Sequence, residues 1–247
     1  MRGDRIVLHD INLSIAEGEH IAILGPNGCG KTTLIKTIQR ELYPLRREGS
    51  WVKILGEELW NIEELRAQLG IVKNDLLPSA AGVVSAIELV VSSFFGSVGL
   101  WNHQKPTEAM WEASRRALEK MGALYLADRD MDELSSGESR RVQIARALVH
   151  QPRTVLLDEP SNSLDLRAQS ELREVIGNVA RAGTGVIMIT HHVEDVIPEM
   201  DRVILMRDGR IFQDGGKSDL LNTEMFTDLF GFPIRIGNDS NGRYRAS

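Results

Sequence analysis

Apolar and polar positions fall along this chain in blocks of two kinds. His20-Ile21-Ala22-Ile23-Leu24 is a short, mostly apolar run that stops at Gly25, and this pattern predicts a buried strand. Lys31 to Arg40 then has a helical composition. Val155-Leu156-Leu157 is a second apolar run, ending at Asp158. Gly185 to Thr190 is a third, ending at His191, and Arg202 to Met206 is a fourth. Helical segments lie between them, including Ser136 to Val149 and Leu166 to Arg181. Continuous apolar strands alternating with helices predict an α/β fold with a mostly parallel sheet covered on both faces.

Two regions break the alternation. The first stretch, to about Ala16, and the stretch from Ser50 to Leu55 are expected to be short strands of a small antiparallel sheet. Residues 75–134 form a mostly helical insertion. A tail covers residues 215–247, and its polar, Gly/Asn-rich end, 238–247, is expected to be loose. Within the insertion, Gly82 to Leu100 carries a single charge, Glu88, and its length alone permits a membrane span. Four serines and three glycines dilute it, however. Val83, Ile87, Val90 or Val91, and Phe94 recur at helical spacing, which predicts a soluble helix buried along one stripe. No internal repeat or low-complexity tract interrupts the chain.

Composition narrows the class. At 247 residues the chain holds between one and two domains. Hydrophobic residues make up 42%, enough to bury a core, which excludes disorder as the dominant state. Lys plus Arg is 29 against 35 Asp plus Glu, a net charge of −6 that argues against a general nucleic-acid binder. The one cysteine, Cys29, excludes an intrachain disulfide and argues against a cysteine zinc site. Met1 to Arg5 leads into Ile6-Val7-Leu8-His9 and lacks the pattern of a signal peptide, so a cytosolic chain is expected.

The chemistry begins at Gly25-Pro26-Asn27-Gly28-Cys29-Gly30-Lys31-Thr32, which fits G-x-x-x-x-G-K-[ST] at every position. Its glycines let the backbone curl so that successive N–H groups form an anion nest. The helix from Lys31 adds the positive end of its dipole. Lys31 supplies a mobile charge for the β- and γ-phosphates, and the Thr32 hydroxyl can ligate Mg²⁺, with Thr33 beside it. A chance match has a probability of about half a percent over roughly 240 windows. Cys29 fills a free position of the loop; it is expected to be a small filler, and to be open to thiol modification when the site is empty. Asp158, at a strand tip, is suited to hold Mg²⁺ through water, and Glu159 to polarise an attacking water. A strand-end imidazole at His191 could hydrogen-bond the γ-phosphate, whereas His192 reads as structural or solvated.

Leu134-Ser135-Ser136-Gly137-Glu138 opens the helix from Ser136. At this point the set resembles the nucleotide-binding domain of ATP-binding cassette (ABC) proteins: phosphate loop, Leu-Ser-x-Gly-Glu, Leu156-Leu157-Asp158-Glu159-Pro160, Ser161 to Asp165, then Thr190-His191 occur in the family's order and spacing. It is most like importer-type subunits of the metal, siderophore or molybdate kind. The resemblance implies one ABC ATPase domain over 1–247 with a P-loop core, and ATP and Mg²⁺ as ligands. It also implies that Ser135 and the N–H groups of Ser136 and Gly137, beside Glu138, face the γ-phosphate held by a second copy of the chain. Asp165 would communicate across that interface, Glu159 would be the base, and His191 would clamp the γ-phosphate. A head-to-tail dimer docked on a membrane permease, with a substrate-binding protein, is then expected at the inner face of the cell membrane. The alternative is a soluble ABC ATPase with a regulatory or repair role.

Three positions depart from the family pattern. Asn74 stands where Gln usually contacts the metal, one methylene shorter. Ser136 replaces a usual Gly, which costs little if the backbone there is ordinary helix. No aromatic upstream of Arg2-Gly3-Asp4-Arg5 is present to stack on adenine, and a start placed too late is the expected reason.

Overall fold

A computed structural model describes residues 6–45, 48–72, 84–239 and 242–247. In chain order its elements are β1 (His20–Leu24), α1 (Lys31–Ile38), α2 (Ile62–Gln68), β2 (Leu69–Val72), α3 (Ala86–Val91), α4 (Glu108–Lys120) and α5 (Ser136–Leu148). Then follow β3 (Thr154–Asp158), α6 (Leu166–Arg181), β4 (Gly185–Thr190), β5 (Arg202–Arg207), β6 (Arg210–Gly216), α7 (Lys217–Leu220), α8 (Thr223–Phe230), β7 (Ile236–Asn238) and β8 (Tyr244–Ala246). The chain divides into two compact units, one of residues 1–65 with 185–247, the other of residues 66–184.

In the first unit, β1 lies between parallel neighbours. Ile21 stands opposite Ile187 of β4 and Arg202 of β5. Every residue of β4 is buried, as are Ile21 to Leu24 of β1. That explains why these strands read as unbroken apolar runs: strands covered on both faces have no polar side to alternate with. β5 turns back into antiparallel β6 through Asp208 and Gly209, both at positive φ (50° and 75°), the two-residue turn that Asp-Gly favours.

In the second unit, β2 and β3 pair in parallel, with Leu69 opposite Thr154. Helices α3, α4 and α5 pack on one another, and α5 covers β2. Gly70 permits that approach, since a Cβ there would stand 2.6 Å from the Ala147 carbonyl oxygen. Ser85 and Glu88 close a capping box on α3.

The strand and helix expectations for the parallel core hold within a residue or two, except that α1 stops at Ile38 and Arg40 adopts φ 59°. Three expectations are corrected. Among the described residues, 6–19 form no strand, and the 50–57 region holds one isolated bridge, Ile54 to Glu57. In the first of these stretches the extended backbone is tied through single bonds such as His9 N–H to Gly209 O, 2.8 Å, rather than through a ladder. The small antiparallel sheet is instead β7 with β8. Among its described residues the chain end is therefore ordered by pairing rather than loose; residues 240–241 lie outside the described residues. Finally, the Gly82–Leu100 stretch has no single buried stripe. Its α-helix is only Ala86–Val91, where Ala86, Ile87, Leu89, Val90 and Val91 are buried and Glu88 is half-buried. Val83 lies outside the described residues. No helix among the described residues is long and apolar enough to cross a membrane.

Candidate functional site

In the first unit, the phosphate loop leaves β1 at Gly25. Gly28 and Gly30 have φ of 83° and 108°, the left-handed turns that aim N–H groups inward. Gly25 serves a different need, because a Cβ there would overlap the Met206 carbonyl oxygen. Gly30 caps α1, whose first turn contains no acid, so its positive end is uncompensated. Asn27, Gly28 and Thr32 are exposed and Pro26 and Thr33 half-buried. Lys31 is buried, with Nζ donating to the carbonyl oxygens of Gly25 (2.6 Å) and Pro26 (3.1 Å). Its charge is thus held by the loop itself rather than extended into solvent.

Cys29 is 4% exposed, and burial pushes its thiol above the ordinary value against the pull of Lys31. The expectation that an empty site exposes it to modification is therefore wrong; the side chain packs beneath the loop. A support that sequence reading missed is the Asp208–Gly209 turn. Gly209 N–H donates to the Cys29 carbonyl at 2.9 Å, and a Cβ at Gly209 would overlap the Val7 carbonyl. The Asp-Gly pair itself was the available signal.

The same unit carries the turn after β4. The Thr190 hydroxyl donates to the buried Asp195 carboxylate at 2.7 Å and accepts from His192 N–H at 3.0 Å. His191 is half-buried and its ring lies 3.9 Å from that of His192, tilted 40°.

The second unit carries the acids and the second helix end. Asp158 and Glu159 are half-buried at the end of β3, and Glu159 has φ 48°, a strained setting for a non-glycine. At α5, Ser135 and Glu138 form a capping box. The Ser135 hydroxyl and N–H donate to the Glu138 carboxylate at 2.8 and 2.9 Å, and Ser135 Oγ accepts from Glu138 N–H at 3.3 Å. These bonds from Ser135 hold the Glu138 carboxyl below its usual value, helped by the Tyr125 hydroxyl and Arg129. Ser135 and Ser136 are exposed, and Ser136 starts ordinary helix, so its side chain is accommodated.

Gly137 has no such freedom: a Cβ there would stand 2.8 Å from Ala168 Cβ. Ala168 belongs to the first turn of α6, which Asp165 caps by accepting from Ala168 N–H at 2.8 Å. A polar cavity of about 280 Å³ opens here, lined by Ser135, Gly137, Asp165, Arg141 and Tyr125 among others. Arg141 and Tyr125 were not legible as site residues; they are joined at 3.1 Å across a long sequence gap that no local pattern spans. Asn74 lies outside the described residues. Among the described residues no group of three or more His, Cys, Asp or Glu forms a metal nest. The Thr32 hydroxyl on the first unit and the Asp158 carboxylate on the second are each oxygen donors of the kind a hard cation takes.

A family model described as "ABC transporter" matches residues 8–162. An uncharacterized ABC transporter ATP-binding protein, YlmA of Bacillus subtilis, is 31% identical over 240 residues, 95% of this chain and 89% of that protein. The hemin import ATP-binding protein HmuV of Aliivibrio fischeri is 32% identical over 234 residues, 93% of this chain and 86% of that one. Among solved structures, cbiO1 of Clostridium perfringens, part of the ABC transporter complex cbiONQ, superposes with a TM-score of 0.74 at 29% identity, covering 90% of this chain and 86% of that one.

Proposed function

The chain belongs to the ABC transporter family and is an ATP-binding, ATP-hydrolysing cassette, and from that premise we propose that it powers substrate import through a separate membrane permease as a head-to-tail dimer. One observation carries the dimer. The chain carries a phosphate loop that leads into α1 and, separately, the capped start of α5, where Ser135 and Ser136 are exposed. Each ATP would sit on the loop of one copy and against the Ser135–Gly137 N–H groups of the other, so that two copies complete two sites.

The roles follow from the chemistry of each group. Gly25 to Thr33 cradle the phosphates, and Lys31 exchanges its carbonyl partners for phosphate oxygens. Mg²⁺ would be held by the Thr32 hydroxyl and through water by Asp158, with the Asn74 amide contributing, and would supply positive charge against the phosphate oxygens. Glu159 orients and deprotonates the attacking water, and His191 holds the γ-phosphate. Asp165, at the rim of the Ser135 cavity, meets the partner copy. Closing on ATP and reopening after hydrolysis is the mechanical output, delivered at the inner face of the membrane. The relative named for hemin import supports the import direction.

The test is Glu159→Gln. Turnover should fall by at least about 100-fold, and ATP with Mg²⁺ should trap a dimer on size exclusion. A permease should co-purify with the native chain in mild detergent. Unchanged turnover in Glu159→Gln removes Glu159 as the base, and recovery without any membrane protein removes the transport role.

A further inference from the structure

The end of the chain folds back onto the turn that carries His191. β7 and β8 pair Ile236 with Ala246 and Asn238 with Tyr244, and Arg235 and Ser247 exchange both backbone hydrogen bonds at 2.9 Å. This hairpin has a fixed seat. Thr223 and Thr227 of α8 accept from the Ile236 and Ile234 N–H groups at 3.0 and 3.3 Å. Arg207 of β5 in turn donates to the Asp228 carbonyl and carboxylate of α8, at 2.8 and 3.1 Å.

From that seat, β8 packs on the 3-10 turn Val193–Asp195, and its Ala246 N–H donates to the Glu194 carboxylate at 2.9 Å. The turn is therefore held from two sides. Inside, Thr190 bonds the buried Asp195, and Val193, Val196 and Ile197 are buried. Outside, Glu194, three residues on from His191, is the acceptor of that hairpin bond. A short segment following a strand end, with buried side chains only on its inner face, can still rock about that anchor. A bond to a seated hairpin removes the motion.

We propose that the β7–β8 hairpin fixes the orientation of His191 through Glu194, making Glu194 a positioning residue for ATP hydrolysis. This rests on the reading of His191 as the γ-phosphate ligand. Glu194 touches no nucleotide in this scheme. Its loss should lower kcat and leave KM for ATP and melting temperature essentially unchanged, because the Lys31 loop and the core stay intact.

The test is a double-mutant cycle on steady-state turnover in the full chain. Glu194→Ala should lower kcat about fivefold, the order expected from loss of one hydrogen bond. Glu194→Gln, which keeps an oxygen acceptor for Ala246 N–H, should restore the rate. In a His191→Ala background, Glu194→Ala should add nothing to the loss. A variant ending after Asp239 removes β8 and should reproduce the Glu194→Ala rate. If Glu194→Ala keeps full kcat, or its loss adds to that of His191→Ala, the positioning role is overturned while His191 stands. If His191→Ala itself keeps full activity, the reading of His191 fails and this inference fails with it.

Discussion

Gly137→Ala tests the packing of the two helix ends most directly. The added Cβ would sit 2.8 Å from Ala168 Cβ, whereas carbon pairs rest at about 3.5–4.0 Å. The start of α5 must therefore retreat from the start of α6 by about 1 Å. Overpacking of this kind costs roughly 1–3 kcal/mol, and the Gly-to-Ala gain in helix propensity returns up to about 1 kcal/mol. The net loss of about 1 kcal/mol should lower the melting temperature by only about 2–4 °C in a chain of this length. The catalytic effect should be far larger, because a 1 Å displacement of positioned groups costs on the order of 100-fold in rate. Phosphate release from Mg-ATP, read beside thermal denaturation, separates the two effects. A compensating change sharpens the test. With Ala168→Gly, the nearest atom to the new Cβ becomes the Cα of residue 168 at 3.8 Å, an ordinary contact. The double variant should recover most of the turnover although Ala168→Gly alone costs about 1 kcal/mol of helix stability. Full activity in Gly137→Ala, or a double variant as inactive as the single, would refute the steric reasoning.

Three further outcomes are expected. Lys31→Ala should weaken nucleotide binding by at least about 100-fold, measured by titration with a fluorescent ATP analogue; unaltered affinity would mean the loop binds through its backbone alone. Native Cys29 should alkylate with iodoacetamide at neutral pH at least about tenfold more slowly than in denaturant, since burial both shields the thiol and disfavours the thiolate; equal rates would place it at the surface after all. The depressed Glu138 carboxyl contributes stability above its unfolded value of about 4.3 and loses it as pH falls through the lower folded value. The melting-temperature gap between wild type and Glu138→Ala, open at pH 7, should close as the pH is lowered below about 4; a gap that widens in acid would contradict the capping geometry.

The elements that were legible in the sequence are those whose cause is local. The apolar runs at Ile21–Leu24, Val155–Leu157 and Gly185–Thr190 could only be strands buried on both faces, and Ser135 with Glu138 spells a capping box within one turn. The phosphate loop is equally local, since two of its glycines meet a backbone requirement in place. Where the cause lies far along the chain, tertiary structure decided. The loop at the buried Cys29 is tied down by the Asp208–Gly209 turn, whose Gly209 N–H bonds the Cys29 carbonyl. Gly137 is required because Ala168 of another helix leaves no room for a methyl group. Five of the six residues of the Ala86–Val91 helix are buried because α4 and α5 pack against it, which its own periodicity could not reveal. The polar chain end is ordered because β7 and β8 find a seat on α8 and a bond to Glu194. Periodicity reports the face that a residue turns away from water. It does not report which distant backbone comes to lie against that face, and at the phosphate loop, the Ser135 helix end and the His191 turn those distant contacts set the geometry.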